Sequence, residues 1–169
     1  MKSAGLCMPK KSGGLFFALA LLGLVLIPAP DASAQSASYM GRYCWNITVT
    51  DTTVTGMVIP TIFVFTSDIV NMGGVSYALT GYATDPGDNP AMYGGVGHIV
   101  GNTLYLNLTG SQNHLSGGWR DTSVFHAEID PSSLSGTFYE VGNDFNATTR
   151  SRDSGRYTAG TIALAPTCP

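Results

Sequence analysis

Few side chains in this chain have the type and spacing to do chemistry. His126 and Glu128 lie two apart in an alternating stretch, so they share a strand face and offer an acid–base or metal-binding pair. That face is opposite Phe125, Ala127 and Ile129, which argues for a solvated surface pair, because catalysis needs a desolvated cleft and a third partner. His98 sits in a glycine-rich stretch between Val96 and Val100. Turned inward, it would be a polar contact inside a cavity; the competing reading is a hydrogen-bonded structural histidine. His114, in a Ser/Gly/Asn loop, is expected in solvent.

Arg150, Arg152 and Arg156 form a cluster whose donors would match a carboxylate, but Asp144 and Asp153 beside them favour a self-balanced polar loop. Asp85, Asp88 and Asn89 offer oxygen ligands to calcium, yet the spacing fits no EF-hand and Pro86-Gly87 explains it as turn chemistry. No Gly-x-Ser-x-Gly elbow or glycine-rich phosphate loop occurs. The reading is therefore of a protein that is not an enzyme, with no catalytic residue, no metal and no cofactor.

Such side chains must be positioned by something, and the cysteines indicate what. Lys2, Lys10 and Lys11 precede an apolar run from Leu15 to Ile27, and Ala32-Ser33-Ala34 follows. This is the pattern of a secretory signal over residues 1–34, with a mature domain over 35–169 that is secreted or periplasmic. The run is shorter than the ~20 residues a bilayer helix needs, and no other stretch suggests a membrane span. Removing the signal removes Cys7 and leaves Cys44 and Cys168, so a disulfide in an oxidising compartment has only one possible pairing. Over residues 35–169, five arginines stand against ten carboxylates, a net charge of −5, which speaks against a nucleic-acid partner.

Period-2 alternation recurs along the mature chain. From about Met40 to Thr50, Tyr43, Trp45, Ile47 and Val49 share one face, and Cys44 lies on the other. A run over 55–66 is apolar on both faces, with Pro60 marking an edge, bulge or bend. Gly73-Gly74 turns into a strand bearing Val75, Tyr77 and Leu79. A hairpin over 91–109 turns at Gly101-Asn102, and a second joins 122–129 to 134–141 through Asp130-Pro131-Ser132-Ser133. The last strand, about 156–165, carries Ile162 and Leu164 inward. About eight antiparallel strands with short connections predict an all-β up-and-down barrel closed by a terminal disulfide, with a β-sandwich as the alternative.

Strand count, meander and Trp45 in the first strand resemble the calycin group, the lipocalin-like and avidin-like barrels. Lipocalins carry Gly-x-Trp there; here Gly41 and Trp45 are separated by Arg42-Tyr43-Cys44, and with only Trp45 and Trp119 the tryptophans of an avidin-like biotin site are missing. The residues themselves suggest a non-catalytic binding protein with a small apolar ligand in the barrel, contacted by Trp45, Tyr77, His98, Leu106, Phe125 and Phe138. The alternative is a cell-surface or extracellular structural protein that self-associates through strand faces bearing Tyr105, Asn107 and Tyr139. A barrel enzyme would look to His98 or Glu140 for its one polar group.

Overall fold

Alternating polarity lets a sheet roll up with one dry face, and here it does so over eight strands: β1 (Ser38–Thr52), β2 (Thr61–Gly73), β3 (Ser76–Thr84), β4 (Ala91–Val100), β5 (Thr103–Asn113), β6 (Trp119–Asp130), β7 (Ser135–Asn146) and β8 (Arg152–Leu164). The computed structural model describes residues 36–84 and 88–168; the segment expected to be a signal and Asp85-Pro86-Gly87 lie outside them. Each strand pairs antiparallel with the next, and β8 returns to pair with β1. The sheet is thus a closed barrel without free edges, which excludes the sandwich. Trp45 faces Phe65 of β2 on one side and Leu164 of β8 on the other.

Cys44 and Cys168 are joined by a disulfide, with Cα atoms 5.2 Å apart across a sequence separation of 124. The tail also donates from Ala165 N to Cys44 O at 2.7 Å. Cys44 is on the outward face yet buried, because this tail and Thr66 cover it. Closing so long a loop restricts the unfolded chain by about 4–5 kcal/mol on the chain-entropy account.

In a meander, successive connections alternate between the two ends of the barrel. The turns β2–β3, β4–β5 and β6–β7 share the disulfide's end, and the other four connections share the opposite end. Leu79, Leu106, Ala127, Ile129 and Ile162 are all but inaccessible, and Trp45 closes over them with its Nε1 donating to Ser67 Oγ at 3.1 Å. The indole thus fills volume without leaving its donor unsatisfied. Outward positions mix polar residues such as Asn107, Thr109 and Glu128 with exposed apolar ones such as Val96, Val124 and Val141. No helix among the described residues is long and apolar enough to cross a membrane.

Three expectations change. The strand expected over 55–66 starts only at Thr61 and continues to Gly73; Thr55-Gly56 is a turn, and Pro60, joined to Ile59 by a cis peptide, has no N–H for a ladder. Leu164, expected inward, is 36% exposed where β8 leaves the barrel. His98 points outward, with Nδ1 at 3.1 Å from Ser76 Oγ. Its neighbour Gly97 takes the inward place, where even a Cβ would come within 2.9 Å of the Leu106 side chain. The close packing at this end fixes the parity of β4, and His98 is left outside the ligand-contacting set.

Candidate functional site

The barrel end opposite the disulfide is hollow. A cavity of about 310 Å³ opens there, bounded by the first halves of β2, β4, β6 and β8, the later halves of β1, β3, β5 and β7, and Val54 and Met57 of the β1–β2 connection. Four rings form its inner wall. Phe125 and Phe138 stack with centroids 5.3 Å apart, and Tyr93 meets Phe65 and Phe125 edge-on at 5.6 and 6.1 Å. Ile47, Val49, Phe63 and Leu108 extend the apolar lining.

Of the six residues expected to contact a ligand, Phe125 and Phe138 line this cavity. Trp45 and Leu106 belong to the solid core below it, and Tyr77 packs against that core. Sequence parity placed those three inward correctly, but parity does not say how far along the axis a side chain lies.

The rim is polar, and its side chains are mutually engaged. His114 Nε2 lies 2.8 Å from Asp121 Oδ2, and its Nδ1 is hydrogen-bonded to Asp88. Arg156 Nη2 donates to Asp121 Oδ2 at 2.8 Å and also to Asp144. Asp88 Oδ1 accepts from the backbone N–H of Leu115 at 2.7 Å, which holds the carboxyl below its ordinary range together with the N–H of Asn89 and His114. Burial lowers the His114 pKa, but hydrogen bonds to Asp121 and Asp88 more than reverse this, so it ends above its ordinary value. With a carboxylate at each ring nitrogen, the imidazolium is the form that fits. Burial and the neighbouring Asp121 carboxyl raise Asp144 to about 6 against the pull of Arg156.

The expectation that Asp144 balances the arginines holds at Arg156, within β8, whereas the solvent reading of His114 is corrected by this network. Arg156 points inside because it has the parity of Ile162 along β8, and a bulge between Gly142 and Asn143 of the β7–β8 ladder follows directly beyond it. The extra residue is Gly155, at φ 74°, a conformation that glycine adopts without a Cβ penalty. Arg156 stands opposite Gly142, beside Asp144. Arg150 and Arg152 stay exposed, so the arginine cluster does not assemble. Asp121 Oδ1 and Arg156 Nε are buried without a partner.

One further carboxylate lies deeper. Glu140 Oε1 accepts from Tyr93 Oη at 2.8 Å, and both residues line the cavity. Burial, then the Glu140 charge, drives the Tyr93 pKa far above its ordinary value, so the phenol stays a donor.

Sequence reasoning passed over Tyr93, Asp121 and Asp144 as site residues. Their signal was available: Asp121 has the parity of Phe125 and Ala127, and Asp144 that of Phe138 and Glu140. Strands read as starting at 122 and ending at 141 stopped short of both. The outward reading of His126 agrees with the structure: it lies 2.8 Å from Asn107 Oδ1 and 3.7 Å from Glu128 on the barrel exterior. Among the described residues no group of histidine, cysteine or acidic side chains could hold a metal ion.

Comparison with protein-family models, curated proteins and solved structures finds no match. The chain is an eight-stranded closed antiparallel barrel with a disulfide, and its likeness to the calycin group lies in that topology.

Proposed function

We propose that this is an exported, non-catalytic binding protein that takes a small ligand with a largely apolar body into the open end of its barrel. The carrying observation is the cavity of about 310 Å³ walled by Phe65, Phe125, Phe138, Phe63 and Met57. That volume is at the lower end of the range for small-molecule sites, and an apolar lining with a few placed polar groups is what such sites present. The rim supports a role in orientation, since Asp88, His114, Asp121, Arg156 and Asp144 are committed to one another. In this reading residues 1–34 direct export and are removed.

A thermal-unfolding screen of the mature chain against fatty acids, retinoids and aromatic compounds tests it. A true ligand at a hundredfold excess over its Kd stabilises by about 2.7 kcal/mol, and Ala83→Leu, which enlarges a cavity-lining residue, abolishes the shift. A panel in which nothing binds saturably sinks the reading. Mass spectrometry of protein recovered from outside the cytoplasm is expected to show a chain starting at Gln35.

A second reading, self-association, has its own observation. Val124 and Val141 pair across β6 and β7 on the exterior, 56% and 41% exposed, next to a row of rings formed by Tyr105, His126 and Tyr139. Sedimentation at micromolar concentration decides it, because a strict monomer removes this patch as a contact between copies.

A further inference from the structure

Counting charges around the cavity separates Glu140 from every other acidic group there. Asp88 and Asp121 face His114, and Asp121 and Asp144 face Arg156. Among the described residues Glu140 has a phenol as partner and no cation. The other arginine held in an ion pair, Arg42, is on the outside, committed to Asp68 at 2.9 Å. The Glu140 carboxylate is half-buried beside four aromatic rings. Only Oε1 receives the Tyr93 proton, so the second oxygen remains available to a donor.

Three independent features favour a positive charge at this point. The carboxylate lacks a counter-ion. The rings of Phe65, Tyr93, Phe125 and Phe138 present π-faces, which attract cations. The rim adds three carboxylates against one arginine and one histidine, so the mouth carries no net positive charge even with His114 protonated, and an approaching cation is not repelled. An anionic ligand would meet the opposite: the cations in the described wall are Arg156 and His114, and two carboxylates already hold each of them.

We infer that the cavity's ligand is an amine with an aromatic or apolar body, its ammonium group seated against Glu140 and its body against the Phe125–Phe138 stack. This rests on the binding reading above and narrows it, replacing a purely apolar ligand by a cationic one.

The test uses three probes with one indole-ethyl body: tryptamine, tryptophol and indole-3-propionate, titrated calorimetrically into the mature protein at pH 7.5. Tryptamine is expected to bind at least about tenfold tighter than tryptophol, with indole-3-propionate the weakest. Glu140→Gln is expected to abolish the preference for tryptamine over tryptophol, read as the ratio of the two affinities in the variant. Tyr93→Phe keeps the carboxylate and is expected to keep the preference, so the two variants separate loss of charge from loss of packing. Tryptophol binding as tightly as tryptamine, or a preference that survives Glu140→Gln, overturns the inference and leaves the cavity reading standing. Failure of all three probes to bind overturns both.

Discussion

The two ends of this barrel are built from the same strands yet do opposite things with their inward side chains. At the disulfide end Leu106, Ala127, Ile129 and Ile162 meet across the axis with at most 1% exposure, and even Gly97 has no room for a methyl group. At the far end, the inward positions of β5 to β8 are Gln112, Asp121, Glu140 and Arg156, and about 310 Å³ stays open between them. A barrel of eight strands lies at the size where side chains either fill the interior or leave space for one small molecule. This one does each at a different height. The inward residue types, not the strand number, decide which.

The largest effects that test this contrast come from truncation. Leu106→Ala at the solid end is expected to cost 2–5 kcal/mol, at about the level of losing the disulfide through Cys44→Ala with Cys168→Ala. Met57→Ala, which removes similar bulk from the cavity wall, is expected to cost roughly 1 kcal/mol or less, because Met57 is only partly buried and borders open space. Urea denaturation of the three variants gives the comparison, and equal losses at Leu106 and Met57 would remove the distinction between the ends.

Enlargement should show the reverse asymmetry at smaller size. Ala127→Leu forces methylene groups into filled space and is expected to destabilise by about 1–3 kcal/mol or more. Ala83→Leu extends into the cavity, so its effect on stability is expected to lie within about 0.5 kcal/mol of zero. A large penalty at Ala83 would mean that the space is not free for a ligand.

The smallest effect is a dependence on pH that belongs to the open end. Folding raises the proton affinity of Asp144 from the ordinary 3.8 to about 6 and lifts His114 above 6.5. The native state thus holds more protons than the unfolded chain, so stability falls as pH rises, from about 4 to 6 through Asp144 and above 6.5 through His114. Asp88 has the opposite sign: its lowered pKa gives stability that is lost as the solution is acidified below about 4. Asp144→Asn is expected to flatten the slope between pH 4 and 6 while leaving the part above 6.5 in place. An unchanged profile would detach this slope from the rim.

The same contrast explains what could be read from the chain beforehand. The barrel was legible because its signals are local: alternation around Trp45 and Leu106, the Gly101-Asn102 turn, and two cysteines with one possible partner each. The site was legible only where it shares those signals, at Phe125, Phe138 and, as an enzyme suspect, Glu140. The rest depends on register. His114 turns in because Asp88 of the β3–β4 connection and Asp121 of β6 hold it, and His98 turns out where Gly97 takes the inward place. Each is a choice between two faces or two heights that distant strands make, and neither is written in the neighbouring residues.

The crosslink between Cys44 and Cys168 sits at the pole away from the cavity. Mutational drift can therefore rewrite the mouth while the fastening that keeps the cylinder shut stays untouched. A scaffold arranged this way separates its durability from the chemistry of its open end.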